Sequence, residues 1–144
     1  MIAVDTNVLV YAHREDSPWH DAARNALTEV AQSTAAWAIP WPCVHEFLAV
    51  VTHPRIFKTP TPPATAAAAV GALLEAPRVV LLAETDAYWG VLRRLVEAGR
   101  LSGPIVHDAR IAALCEVHGV DTLWTADRDF SRFPALRVRN PLIA

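Results

Sequence analysis

The chain is short of lysine, of cysteine and of long apolar runs, and each shortage excludes a class of protein. Lys58 is the only lysine, so twelve arginines carry the rest of the positive charge. Cys43 and Cys115 lie far apart without CxxC spacing, which excludes a disulfide framework and a cysteine-based zinc site. No apolar run reaches the ~20 residues that span a bilayer, and residues 1–5 lack the basic region of a secretory signal. We therefore expect a soluble cytoplasmic protein without membrane attachment.

The overall composition is that of a small folded domain. Hydrophobic residues make up 53% of the chain and charged residues 19%, which argues against disorder. A length of 144 residues suffices for one core and is too short for two ordinary domains, so residues 1–144 are predicted to form a single domain. The net charge of −2 becomes +2 once the four candidate acids named below are set aside, which is compatible with a nucleic-acid partner but does not identify one.

Short apolar segments alternate with helical patterns along the chain. The predicted strands are Ile2–Val4, Ala36–Ile39, Val79–Leu82, Thr122–Thr125 and Leu136–Val138. The predicted helices are Val8–Ala12, Pro18 to about Gln32 with Ser17 as its cap, Pro42–Val51, Ala64–Glu75, Thr85 or Asp86 to Gly99, and a last one opened by His107 and Asp108 and closed by Gly119. This alternation predicts an α/β fold, a three-layer α/β/α sandwich around a central parallel sheet of about five short strands.

The third strand and a proline-rich segment carry more specific expectations. Val79–Leu82 is a continuous run of valine and leucine, which is typical of a strand buried on both faces. Residues 54–63 hold four of the eleven prolines, which predicts an irregular connector or a lid over the helix ends. This segment is too short to separate two cores.

Four acids lie where a parallel α/β domain binds its ligands, beyond the carboxyl ends of the strands. Asp5 follows the first strand and Asp127 follows the fourth, while Glu46 lies in the helix after the second strand and Asp108 lies at a helix start. Carboxylates that converge in one cleft repel one another and take up protons unless a divalent cation lies among them. If the four converge, they predict a metal-dependent phosphodiesterase.

Each acid also has a simpler structural explanation. Asp5 and Asp108 can cap helices, and for Asp108 alone capping is the stronger explanation. Glu46 is the hardest to explain in this way, because it is the only acid between Ser33 and Leu74 and lies in an apolar helix, where a buried carboxylate needs a partner. The alternative for Glu46 is an exposed position on a polar stripe with His45 and His53.

Four motifs occur in order across essentially the whole chain. They are Asp5-Thr6-Asn7-Val8-Leu9, the helical Glu46, His107-Asp108-Ala109 and Thr125-x-Asp127-x-x-Phe130. Any one of them alone is weak evidence. Together they resemble the PIN domain, and specifically the VapC-type toxins of bacterial toxin–antitoxin pairs.

The resemblance implies an endoribonuclease that uses Mg²⁺ or Mn²⁺, hydrolyses RNA phosphodiesters and leaves a 5′-phosphate and a 3′-hydroxyl. One or two bound ions would lower the pKa of a water and neutralise charge on the phosphate. The acidic quartet would be Asp5, Glu46, Asp108 and Asp127, with Asp129 as an accessory metal ligand. The residues that position the quartet, a bridging water or the backbone would be Thr6, Asn7 and Thr125.

Further residues are candidates for contact with RNA or with a partner protein. Arg14, Arg128 and Arg132 lie near the strand ends and could grip phosphates. Trp41 or Trp19 could stack on an unpaired base, although core or dimer packing is the simpler explanation for both. The resemblance also implies a homodimer and a VapB-type antitoxin, whose C-terminal segment would lie over the acidic cleft and insert a basic side chain.

Other functions of an acidic α/β domain fit the sequence less well. A phosphoacceptor receiver domain needs a lysine beyond a late strand, whereas Lys58 lies in the proline-rich segment. A phosphatase of the haloacid dehalogenase type needs a second aspartate two residues after Asp5, where Asn7 stands. A PIN-domain ribonuclease that works in RNA processing without an antitoxin remains an alternative.

Overall fold

The chain folds around one sheet of five parallel strands in the computed structural model, which describes residues 1–143. The strands are β1 (Ile2–Val4), β2 (Trp37–Pro40), β3 (Val79–Leu82), β4 (Thr122–Trp124) and β5 (Arg137–Arg139). Their order across the sheet is β3-β2-β1-β4-β5, and each neighbouring pair is parallel. The predicted parallel α/β fold is confirmed.

The sheet is accompanied by six α-helices in the described part of the chain. They are α1 (Thr6–His13), α2 (His20–Gln32), α3 (Trp41–Val51), α4 (Pro63–Leu74), α5 (Tyr88–Gly99) and α6 (Ile105–Val117), and a 3-10 helix covers Arg128–Arg132. From β1 the chain moves to β2 and β3 on one side, and it then returns past β1 to β4 and β5. Right-handed crossovers in opposite directions place helices on opposite faces, as the predicted three-layer sandwich requires.

The centre of the sheet is β1, which lies between β2 and β4. Ala3, Val4, Ile39 and Leu123 are each fully buried, because helices cover both faces of these strands. The chain adds β2 and β3 on one side of β1 and then adds β4 and β5 on the other side. The segments that follow the parallel strands β1 and β4 therefore diverge and leave a crevice at the carboxyl ends of these strands. That crevice begins at Asp5, the residue immediately after β1.

The third strand differs from its prediction. β3 is an edge strand that pairs only with β2, and Val80 is 40% exposed. The prediction that both faces of this strand are buried is therefore wrong. A valine- and leucine-rich run has the same local pattern at an edge as in the middle of a sheet, since the strand order is set by the rest of the chain.

Three helix starts also differ from their predictions. Ser17 does not cap α2, because its hydroxyl accepts from the Trp19 amide at 3.0 Å in a turn and α2 begins at His20. Thr85 behaves in the same way, accepting from the amide of Ala87 before α5 begins. α6 begins at Ile105, so Asp108 lies within the first turn and makes no side-chain cap. Local side-chain bonds compete with capping, which shifts the helix starts by a few residues.

The proline-rich segment between α3 and α4 is an irregular connector, as predicted. The amide of Thr61 donates to the carbonyl of Val51 at 2.8 Å, which brings the end of the connector back to the end of α3. His13 Nε2 lies 3.0 Å from the Thr61 hydroxyl and ties the same point to α1. Within residues 1–143, none of the helices combines the length and apolar character needed to cross a membrane.

Candidate functional site

Asp5 is held rigidly at the end of β1. Its Oδ1 accepts from the Thr6 amide at 2.7 Å, and its Oδ2 accepts from the Thr125 hydroxyl at 2.7 Å. Weaker contacts come from the Cys43 thiol at 3.5 Å and the Asn7 side-chain amide at 3.3 Å. Asp5 is only 4% exposed, and this burial raises its pKa against the effect of the hydrogen bonds. The carboxylate thus points in a fixed direction at the edge of the sheet.

The hydroxyl of Thr125 joins the ends of β1 and β4. It donates to Asp5 and accepts from the Asn7 side-chain amide and the Asp127 amide, each at 3.0 Å. A hydroxyl has one donor and two acceptor positions, so all three are used. The carbonyl oxygen of the Asn7 side chain accepts from the Ala126 amide at 3.0 Å and closes the network. Thr125 and Asn7 therefore fix the relative positions of Asp5 and Asp127.

Glu46 points from α3 towards Asp5. Its Oε2 accepts from the Thr6 hydroxyl at 2.8 Å, and the side chain is half-buried. Glu46 therefore does not lie on an exposed polar stripe, whereas His45, its neighbour in sequence, is exposed. Thr6 serves both acids, because its amide binds Asp5 and its hydroxyl binds Glu46.

Asp108, Asp127 and Asp129 come together beside these two acids. Each offers one carboxylate oxygen, and the three oxygens lie within 4.8 Å of one another. Burial is the first cause that raises the pKa of Asp108 to about 6, and the negative charges of Asp127, Asp5, Asp129 and Glu46 add to it. The other three sequence-predicted acids and Asp129 therefore lie close enough to Asp108 for their charges to act on it.

Asp127 and Asp129 have different surroundings within this group. Asp127 Oδ1 accepts from the Asp129 amide at 2.8 Å and so caps the 3-10 helix. Asp129 is exposed and lies in the first turn of that helix. Both carboxylates reach Asp108, so distance alone does not make Asp129 an accessory.

The acids line two adjoining cavities, which together we call the acidic groove. One end is a cavity of about 340 Å³ that contains Asp5 and Asp127 and has an apolar wall of Ile56 and Phe57 from the connector. The other end is an open cleft of about 700 Å³. Glu46 and Asp108 line both parts and join them. The open cleft is also lined by His45, His107, Asp129, Arg110 and Arg132.

The three sequence-predicted arginines occupy different environments. Arg14 binds both carboxylate oxygens of Asp16, donates to the carbonyl of Thr59 at 2.8 Å and lies 4.1 Å from the ring centroid of Phe57. It thus secures the connector. Arg132 lines the open cleft, whereas Arg128 is exposed on the 3-10 helix and lines neither part of the groove.

The two candidate tryptophans and the cysteines line neither part of the acidic groove. Trp41 stacks on His45 with ring centroids 6.4 Å apart, and Trp19 is 43% exposed and lines neither part of the groove. Both cysteines are buried and free, as predicted. Burial raises the pKa of Cys115 to about 12 and that of Cys43 well above its ordinary value, so neither thiol is a nucleophile at neutral pH.

Sequence reasoning did not single out Arg110 or His45 as residues of the groove. Arg110 precedes a run of buried residues, Ile111–Cys115, in α6. An arginine next to an apolar stretch, two positions after a candidate acid, is a signal that was available in the sequence. His45 gave no such signal, because a histidine beside Glu46 on a helix is also compatible with a solvent-exposed face.

Known proteins match the chain along nearly its whole length. The PIN domain family matches residues 2–136. Ribonuclease VapC43 of Mycobacterium tuberculosis is 39% identical over 142 residues, which cover 99% of this chain and 96% of that protein. Ribonuclease VapC48 of the same species is 34% identical over 137 residues, which cover 95% and 94%.

Solved structures share the fold. FitAB bound to an IR36 DNA fragment gives a TM-score of 0.72 at 17% identity and covers 100% of this chain and 97% of that chain. VapBC2 from Rickettsia felis, bound to a DNA fragment from its promoter, gives 0.67 at 24% identity and covers 97% and 98%. Together with the family match and the closer sequence relatives, these findings show that the chain belongs to the PIN domain family, among the VapC ribonucleases.

Proposed function

We propose that this protein is the toxin of a VapBC-type pair, an endoribonuclease that hydrolyses RNA phosphodiesters with Mg²⁺ or Mn²⁺ in the acidic groove. The observation that carries the proposal is the meeting of Asp108, Asp127 and Asp129, whose carboxylate oxygens lie within 4.8 Å, in a groove that Asp5 and Glu46 also line. The names of the sequence relatives support ribonuclease chemistry.

The donor set fits a hard divalent cation. The acids of the groove offer only carboxylate oxygens, which Mg²⁺ and Mn²⁺ prefer over nitrogen or sulfur. Burial first, and then the negative charges of the neighbouring acids, raise the pKa of Asp108 to about 6, and a cation would relieve the repulsion among these charges. When bound, the ion supplies an acidified water and neutralises charge on the phosphate.

Several acids use one oxygen for positioning and keep another for a ligand. Glu46 binds Thr6 through Oε2, which leaves Oε1 available, and Asp127 accepts the Asp129 amide through Oδ1, which leaves Oδ2. Asp5 has one short hydrogen bond on each oxygen, and its long contacts to Cys43 and Asn7 can yield to a cation. Thr6, Asn7 and Thr125 would act by holding these carboxylates in place.

The shape and charge of the groove support RNA as the substrate. The open cleft of about 700 Å³ is lined by Arg110 and Arg132, whose charges suit the phosphates of an RNA strand. Arg128 stands on the same 3-10 helix as Arg132 and can reach the backbone of a longer RNA. Arg14 is already bound to Asp16 and Thr59, so we assign it to the connector rather than to the substrate.

An antitoxin partner is part of the proposal. Structural relatives include VapBC complexes, some of them bound to DNA. The acidic groove is complementary to a basic side chain, so a VapB-type C-terminal segment lying over it would neutralise the acids and exclude RNA. A homodimer is proposed on the same family resemblance.

A ribonuclease of RNA processing without an antitoxin is the second candidate, because the same groove would serve it. Expression of the chain alone, with its upstream neighbouring open reading frame, and as the Asp5→Ala variant separates the two. Growth arrest by the wild type alone, relieved by the neighbour or by Asp5→Ala, is expected. Arrest that Asp5→Ala does not relieve would contradict the catalytic assignment, and arrest that the neighbour does not relieve would favour RNA processing.

The chemistry is tested on the purified protein. We expect cleavage of RNA with Mg²⁺ or Mn²⁺ and none with EDTA. End-labelling of the products should find 5′-phosphates and 3′-hydroxyls. Cleavage that survives chelation would rule out the metal mechanism.

A further inference from the structure

We propose that Arg110 binds an RNA backbone phosphate that neighbours the scissile one. The proposal rests on the ribonuclease function proposed above and adds a residue that holds the substrate. Its starting observation is that Arg110 lines the open cleft while its side chain, including the buried Nε, has no hydrogen-bond partner within residues 1–143. A buried polar group without a partner calls for an explanation, because its desolvation is not offset within the protein.

The other arginines that bind within the protein show what Arg110 lacks. Arg14, Arg78, Arg93 and Arg94 each donate to a carboxylate or to a backbone carbonyl. Arg110 makes no side-chain hydrogen bond and no salt bridge with the residues that the structure describes. Nη1 and Nη2 are not among the buried atoms, so their four N–H donors remain available, and a phosphate accepts from such a guanidinium through two oxygens at once.

The position of Arg110 favours a phosphate over other anions. It lines the open cleft together with Glu46, Asp108 and Asp129 but does not line the cavity that contains Asp5 and Asp127. The scissile phosphate belongs with the acids and their cation. An RNA strand that places one phosphate there runs along the open cleft and brings a neighbouring phosphate towards Arg110.

Arg132 lines the same open cleft from the 3-10 helix and has no side-chain hydrogen bond of its own to residues 1–143. The two arginines thus lie on different elements beside one acidic cluster. A polyanion with regularly spaced charges can satisfy both, since the acids that line the same cleft would be neutralised by the cation. Arg110 is half-buried whereas Arg132 is exposed, so water screens a phosphate contact of Arg110 less.

The test is RNA binding by proteins that carry Asp5→Asn to prevent cleavage. A short fluorescein-labelled single-stranded oligoribonucleotide is a suitable probe, because contacts with phosphates do not depend on sequence. Arg110→Gln is compared with Arg24→Gln, which changes an exposed arginine on α2 that lines neither part of the groove. Affinity is measured in Mg²⁺ over a series of KCl concentrations.

We expect Arg110→Gln to weaken binding about tenfold and to reduce the slope of log affinity against log salt by about 0.7, the value for one phosphate contact on a single strand. Arg24→Gln should leave both unchanged. With an active protein, Arg110→Gln should raise KM more than it lowers kcat. Arg110→Lys should recover the salt slope but only part of the affinity, because lysine keeps the charge without the fork.

These measurements distinguish failure of the Arg110 assignment from failure of the ribonuclease proposal. If the wild type cleaves RNA but Arg110→Gln matches it in affinity, salt slope and KM, the assignment of Arg110 is wrong and the ribonuclease proposal stands. If the wild type cleaves no RNA with either metal, the ribonuclease proposal fails. The melting temperature controls for folding: a guanidinium with only a structural role would lower it in Arg110→Gln and leave the salt slope unchanged.

Discussion

The hydroxyl of Thr125 donates to Asp5 Oδ2 at 2.7 Å and joins two residues that lie 120 positions apart in the chain. The bond connects the carboxyl ends of the central strand, β1, and its neighbour β4. It uses the single donor of the threonine hydroxyl, whose two acceptor positions already bind Asn7 and Asp127. The position of Asp5 relative to Asp127 is therefore set in large part by one hydroxyl group.

Replacing Thr125 tests this dependence. Thr125→Val keeps the shape of the side chain and removes the hydroxyl, so Asp5 and Asp127 lose their common partner. We expect activity or metal affinity to fall by about 10–100-fold, as for other partners of metal-binding carboxylates. Thr125→Ser retains the hydroxyl and should stay close to the wild type. Equal losses in both variants would show that packing of the methyl group matters instead.

The fold and the acids were largely predictable from the sequence. Both depend on local patterns: alternating apolar segments give the strands, and an acid after a strand lies at a known edge of a parallel sheet. Whether Arg14 and Arg110 have partners within the protein was not predictable in this way. Whether an arginine binds Asp16 or stays without a partner depends on which elements pack around it, which the local sequence does not encode.

The relative importance of Asp127 and Asp129 can be separated by asparagine substitutions. Asparagine retains the shape of the side chain, and in Asp127→Asn its oxygen can still accept the Asp129 amide. We expect Asp127→Asn to lower the cleavage rate by at least about 100-fold. Asp129→Asn should mainly raise the Mg²⁺ concentration needed for activity, because Asp129 is exposed. Titration of the cleavage rate with Mg²⁺ measures both effects, and the reverse ranking would make Asp129 the principal ligand.

The raised pKa of Asp108 predicts a pH-dependent stability in the absence of metal. The pKa rises from its ordinary value of 3.8 to about 6, through burial first and then through the neighbouring acids. The folded protein thus holds this proton more tightly than the unfolded chain does. The stabilising contribution of Asp108 is therefore present below about pH 4 and is lost as the pH rises to about 6.

Urea unfolding in EDTA measures this contribution, with Asp108→Asn as the comparison. The free energy of unfolding of the variant should exceed that of the wild type at neutral pH, and the gap should close as the pH falls through the window from about 6 to about 4. Mg²⁺ should stabilise the wild type at neutral pH and reduce the gap. Acids with lowered pKa values, such as Asp16 and Asp121, make the folded protein less stable as the pH falls. They are present in both the wild type and Asp108→Asn, so they do not change the gap between the two. A constant gap across this window would contradict the prediction.

The contacts of Arg14 predict that it acts on substrate only through the connector. Its guanidinium lies over Phe57, which forms the apolar wall of the cavity that contains Asp5, and it also donates to the carbonyl of Thr59. Arg14→Ala removes these contacts, and hydrogen bonds from a charged group contribute about 1.5–3 kcal/mol. We expect a lower melting temperature, a higher KM for RNA and a nearly unchanged kcat.

The salt dependence of RNA binding distinguishes this role from a direct phosphate contact. A connector residue that touches no phosphate releases no counterion, so the slope for Arg14→Ala should equal that of the wild type. Arg14→Lys should not restore KM, because lysine cannot bind both oxygens of Asp16 while donating to Thr59. A slope reduced by about 0.7 in Arg14→Ala and restored by lysine would instead place Arg14 on the RNA backbone, as the sequence alone had predicted.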